Sequence, residues 1–176
     1  VEVTDGDLEN NNSSISIYVI SRNSGEGSDR KCKAGDYLLG KNEIQAIRKL
    51  SESSKKLIVV LNIGGVMQLT EVKELQGVDA VVLMGQLGNI GGNALVDLLS
   101  GKVNPSAKLA DTWAYKYSDY PSSSEFSHNN GNVDDEYYKD GIYVGYRYFD
   151  SFKVKPLYPF GYGLSYTTFA INTTEV

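Results

Sequence analysis

Glu26 is the side chain best placed to do chemistry. It lies in Ser21-Arg22-Asn23-Ser24-Gly25-Glu26-Gly27-Ser28-Asp29-Arg30, between two glycines that leave the backbone free to present a carboxyl outward. The apolar run Ile15 to Ile20 comes just before it, so this loop follows the carboxyl end of a buried strand. Ligands bind at that end of open parallel sheets, and a carboxyl there suits general acid/base work. Arg22, Ser24, Asp29 and Arg30 are the loop neighbours able to bind a substrate beside it. The same residues also fit an ordinary solvated loop, and the spacing alone leaves both readings standing.

The other candidate chemistries are weaker. Gly85, Gly88, Gly91 and Gly92 invite a phosphate reading, but no Lys-Ser/Thr follows and the spacing is not G-x-G-x-x-G. A structural turn explains them better. Asn23-Ser24-Gly25-Glu26-Gly27 is not the G-x-S-x-G elbow of serine hydrolases. Such an enzyme would also need His128, the only histidine, which sits in the polar stretch Ser127-His128-Asn129-Asn130-Gly131 and reads as surface loop. Asn130, Asn132 and Asp134 have calcium-loop spacing, yet Asp135 stands where glycine is required and Gly141 where glutamate is. With one cysteine, Cys32, no internal disulfide or cysteine-clustered zinc site can form.

The elements that would position Glu26 form an α/β pattern. After the first strand, Asn42 with Gln45 suggests a capped helix whose apolar stripe is Ile44, Ile47 and Leu50. Leu57 to Leu61 is a second buried strand, followed by a short helix near 67–75 and a third strand, Val78 to Met84. A helix over about 93–100 places Ala94, Leu95, Leu98 and Leu99 on one side, with Gly101 as its C-cap. Strands apolar along their whole length predict burial on both faces, hence a parallel sheet with flanking helices, and three strands make it thin enough that a strand or two comes from elsewhere. Residues 1–14 read as a polar arm.

The second half has a different character. Of 19 aromatic residues, 17 lie between Trp113 and Phe169. Residues 143–149 suggest an extended edge segment, and 158–169 a turn followed by a strand. Such rings can stack on pyranose faces or pack on one another without ligand.

Composition narrows the partners. The net charge is −5, and four acids of the first twelve residues account for most of it. No basic patch answers a phosphate backbone, which argues against nucleic acid. No apolar run approaches the ~20 residues of a membrane span. Val1 to Asn12 is too acidic and polar for a secretory signal, and the compartment stays open. Asn11, Asn12 and Asn172 stand in N-x-Ser/Thr sequons, which matter only in a eukaryotic secretory pathway.

Taken together, the segments resemble a known family. Ile20 to Arg30, followed by Gly35-Asp36-Tyr37-Leu38-Leu39, resembles the acid/base loop of bacterial family 3 glycoside hydrolases, the β-glucosidase group. Val59 to Val66, Leu99 to Leu109, Gly141 to Asp150 and Tyr158 to Phe169 are similar to further segments of the same family, in the same order. The resemblance covers residues 15–170, which become the αβα domain, with 171–176 opening a linker or following domain. It implies a three-layer αβα sandwich with a mostly parallel sheet, truncated at its N-terminal strands, that packs against a (β/α)₈ barrel whose aspartate is the nucleophile, and it puts Glu26 at the general acid/base. It implies a β-linked glucoside or oligosaccharide as substrate and neither cofactor nor metal.

Departures from the family motivate rivals. Its third loop usually reads Trp-Gln-Pro-Gly-Gln-Glu-Gly-Gly, whereas here it is Gly85-Gln86-Leu87-Gly88-Asn89-Ile90-Gly91-Gly92, and Ala107 and Ala110 replace a usual glycine and proline. A non-catalytic carbohydrate-binding or scaffold domain on the same fold is the main alternative. A flavodoxin-like nucleotide module binding at Gly85–Gly92 is the second.

Overall fold

The computed structural model describes residues 15–23 and 26–175. The expected arm over 1–14, with the sequons at Asn11 and Asn12, lies outside the described residues, as do Ser24, Gly25 and Val176. Three strands, β1 (Ile15–Ser21), β2 (Lys56–Asn62) and β3 (Ala80–Leu83), form one parallel sheet in the order β1-β2-β3. Helix α1 (Lys41–Ser53) connects β1 to β2, and the short α2 (Thr70–Glu74) connects β2 to β3. Helix α3 (Gly91–Leu99) follows β3.

The core lies on one face of the sheet. Ile20, Leu57, Val59 and Leu61 pack there against Ile47 and Leu50 of α1, Val72 of α2, and Met67 and Leu69 of the segment between. Trp113 and Leu157 close this core from the aromatic half. Backbone bonds between Trp113 and both Leu157 and Tyr158, and between Leu109 and both Gly161 and Tyr162, hold those two distant segments side by side.

The opposite face is less covered than the apolar strands predict. Val60 at its centre is fully buried, but Ile15, Ile17 and Val19 remain 50–55% exposed. The apolar side of α3 is likewise half-buried, and Gly91 is its one buried residue.

Several local expectations need correction. Helix α1 starts at Lys41, with Gly40 as N-cap, and Glu43 rather than Gln45 reaches back, accepting the Gly40 N–H at 2.7 Å. β3 is only four residues, and just before it the Asp79 N–H bonds the Leu57 carbonyl while the Asp79 carboxylate takes the Leu57 N–H. The stretch expected to be extended contains a helix, α4 (Tyr146–Ser151), which Gly145 opens at φ +60° and which buries Phe149. The strand expected within 158–169 does not form. Trp113–Tyr158 is an isolated antiparallel bridge, and Ser165 and Tyr166 hang on the Asn104 side chain.

Candidate active site

Three loops leave the carboxyl ends of the strands, and the first carries Glu26. β1 holds its partner to the end: the Arg22 N–H still bonds the Asn62 carbonyl at 3.2 Å. The chain then runs out to Glu26 and Gly27, where Gly27 adopts φ +87° and the Glu26 side chain is exposed. Its return limb is pinned at Asp36 and Tyr37. The Asp36 carboxylate accepts the Lys31 N–H and pairs with Arg30 Nε at 3.4 Å, while the Tyr37 carbonyl accepts the Gln68 N–H.

Arg22 is not at the surface. It is 8% exposed, and all three guanidinium nitrogens are engaged. Nε donates to the Asp36 carbonyl at 2.7 Å and Nη1 to the Ser21 carbonyl at 2.8 Å. Nη1 and Nη2 grip the Glu43 carboxylate at 2.8 and 2.6 Å. Burial raises the pKa of Glu43, but the Arg22 hydrogen bonds, the Gly40 N–H and the Arg22 charge together hold it below the ordinary glutamate range.

Arg30 turns the same way. Nη2 donates to the Val66 carbonyl, and the guanidinium lies 6.0 Å from the centre of the Tyr37 ring. The Tyr37 hydroxyl is buried, and burial first, then Tyr120, pushes its pKa above the usual phenol range. Both arginines that flank Glu26 in sequence therefore pair with other carboxylates.

An open polar cleft of about 320 Å³ lies beneath the loop. Arg22, Asn23, Ser28, Asp29, Arg30 and Lys33 are in its wall, so the chain on both sides of Glu26 borders it. Of the neighbours singled out from sequence, the structure brings Arg22, Asp29 and Arg30 together here. Ser24 lies outside the described residues.

The chain matches the glycosyl hydrolase family 3 C-terminal domain over residues 7–166. It belongs to that family. It is 43% identical over 161 residues to a β-glucosidase of Ruminococcus albus, and 41% identical over 181 residues to β-glucosidase A of Butyrivibrio fibrisolvens. Those alignments cover 91% and 89% of this chain but 16% and 21% of the relatives. Among solved structures, β-glucosidase 3B of Thermotoga neapolitana in complex with glycerol superposes with TM-score 0.86 at 40% identity, covering 94% of this chain and 24% of that one. A β-glucosidase of Paenibacillus barengoltzii gives TM-score 0.88 at 38% identity, over 97% and 18%. The αβα fold implied by the resemblance is thus that of the family 3 domain, and the chain spans about a fifth of the relatives' length.

Two residues of the site were not legible in the sequence. Glu43 carries no motif, and Arg22 lies 21 positions away from it. Gln86 of the third loop donates from Nε2 to the Arg22 carbonyl at 3.2 Å. Its one signal is that it keeps the family's glutamine where its neighbours depart. Gly64 of the second loop makes room for it: a Cβ there would stand 2.5 Å from the Gln86 amide oxygen.

The remaining candidates fall elsewhere in the family 3 domain. His128 is on an exposed loop, its Nδ1 bonded to the Asn132 carbonyl and 3.8 Å from Glu136. Asn130 and Asn132 spend their side-chain oxygens on nearby backbone N–H groups. No cluster of three or more His, Cys, Asp or Glu that could hold a metal occurs among the described residues, and none of their helices is long and apolar enough to cross a membrane.

Proposed function

We propose that this family 3 domain supplies the general acid/base of a retaining β-glucosidase, with Glu26 in that role. The observation that carries the reading is the charge pairing at the loop. Arg22 and Arg30 are tied to Glu43 and Asp36, so Glu26 is exposed at a turn between two anchored limbs. The identity of about 40% to β-glucosidases supports the substrate class.

In the proposed reaction a barrel domain of the same enzyme contributes an aspartate that attacks the anomeric carbon. Glu26 donates its proton to the departing glycosidic oxygen, and the C–O bond breaks. Glu26 then removes a proton from the water that displaces the aspartate, regenerating both carboxyls. Such a pair works about 5–5.5 Å apart, so domain docking must bring Glu26 to the nucleophile. Asp29, exposed in the cleft wall, is the acid placed to accept a hydrogen bond from a sugar hydroxyl, with Arg30 next to it in the same wall and Ser24 two residues before Glu26 as a further sugar contact. Arg22, buried and fully engaged, supports the site rather than touching sugar. The working unit is residues 15–170, and the chemistry needs neither cofactor nor metal.

The test is Glu26→Ala in the polypeptide that joins this chain to its barrel. On an aryl β-glucoside with a poor leaving group, activity falls by about 10²–10⁴-fold, the usual share of general acid/base catalysis. An activated aryl glucoside still forms glycosyl-enzyme, and azide restores turnover as a glycosyl azide. Near wild-type rates on both substrates would remove Glu26 from the chemistry. The domain would then be a scaffold or sugar-binding unit.

A further inference from the structure

We infer that Arg22 is the positioning residue of the acid/base loop, fixing where Glu26 stands through a buried clamp on Glu43 and a tie to the third loop. The inference rests on the acid/base reading of Glu26 given above.

The loop leaves β1 at Ser21 and rejoins regular structure at Lys41. Arg22 stands four residues before Glu26. Its one side chain spans the loop's whole base, since Nε reaches the return limb at the Asp36 carbonyl and the other two nitrogens reach the first turn of α1 at Glu43. Glu43 in turn holds the last residue of the loop, through the Gly40 N–H. The two ends of the loop are therefore joined to a rigid helix through one planar, bidentate contact. Gln86 adds a second rigid point from the end of β3 by capturing the Arg22 carbonyl. Gly64 leaves space for that contact, so all three carboxyl-end loops meet at Arg22.

A buried ion pair is a weak device for stability, because apolar side chains of similar volume would fill the space as well. It is a strong device for geometry. An apolar pair has no preferred direction, whereas a guanidinium fork on a carboxylate fixes two atoms and a plane. General acid/base transfer needs that directionality, and misplacing the group by about 1 Å can cost about 10²-fold. Fixed limbs with an exposed tip at Glu26 are the arrangement such a transfer requires.

The experiment compares Arg22→Lys, Glu26→Ala and the double variant in the full polypeptide with its barrel. Each is assayed on phenyl and 2,4-dinitrophenyl β-glucosides, and thermal melting reports folding. Lysine keeps the charge but cannot form the fork, so the conservative exchange does not rescue. Arg22→Lys lowers kcat/KM on the phenyl glucoside by about 10²-fold and on the dinitrophenyl glucoside by only about threefold, since that leaving group departs without a proton. Added to Glu26→Ala, it costs little more, because the group it positions is gone.

Loss of equal size on both substrates, or full additivity with Glu26→Ala, would overturn the inference and leave Arg22 a structural residue. Absence of any leaving-group discrimination in Glu26→Ala itself would instead overturn the acid/base reading. If Arg22→Lys does not fold, Gln86→Ala carries the same comparison. Its side chain is exposed, it removes the tie from the third loop, and it lowers the phenyl glucoside rate by about tenfold with the same selectivity. An unselective or absent effect there overturns the inference equally.

Discussion

Glu43 serves three donors with two oxygens: Nη1 and Nη2 of Arg22 and the Gly40 N–H. Its side chain is 22% exposed and that of Arg22 is 6% exposed, so the pair is poorly screened. Because the folded pKa of Glu43 is lowered, the stability it contributes is full above the ordinary glutamate value of about 4.3 and is lost as pH falls through the folded one. Glu43→Gln, which leaves the arginine charge buried and unpaired, should therefore cost about 3 kcal/mol near neutral pH. Urea unfolding at a series of pH values checks the sign: the gap to wild type stays constant from neutral pH down to about 5 and closes below about 4. A gap that widened in acid would mean that the carboxyl is already protonated in the folded state. From the sequence, Arg22 is legible as a loop neighbour of Glu26. Proximity along the chain was visible, whereas a partner 21 positions away on a helix was not, because nothing in the pattern of Lys41–Ser53 marks one acid as inward-facing.

At the scale of elements, β1, β2 and α1 were legible because tertiary structure does not contest them. Continuous apolar runs of Ile, Val and Leu have few alternatives to a buried strand, and Ile47 and Leu50 recur at helical spacing. The aromatic half was misread for a physical reason. Tyr143-Val144-Gly145-Tyr146-Arg147-Tyr148-Phe149 looks extended by composition, since aromatic and branched residues favour strands. Tertiary packing overrides that preference. Gly145 reverses the chain at φ +60°, and Phe149 enters the interior, edge-on to Tyr120 at 5.9 Å. Gly145→Ala separates the backbone from the packing, because a Cβ there would meet nothing within 4 Å. Any loss then reports the positive-φ backbone alone (φ +60°, ψ −130°), about 1–3 kcal/mol by chemical unfolding. A neutral result would show that α4 can be entered from ordinary backbone geometry.

For the whole molecule, the unequal faces of the sheet matter most. One face carries the core, while Ile15, Ile17 and Val19 of β1 stand about half exposed on the other, beside a Val60 that is fully buried. Three branched apolar residues in a row on a strand make a patch that soluble monomers usually cover. Relatives about five times longer than this chain have further structure available to cover it. In the 176-residue chain by itself, replacing Ile17 and Val19 with threonine keeps the strand preference, removes apolar surface and reduces self-association, read by light scattering across a concentration series. In a polypeptide whose further domains cover the face, as the length of the relatives allows, the same pair of substitutions acts on buried side chains and lowers the melting temperature, at a cost of about 1–2 kcal/mol for each site. If that longer polypeptide melts unchanged, the face is open there too, and its three apolar side chains serve a surface other than the fold.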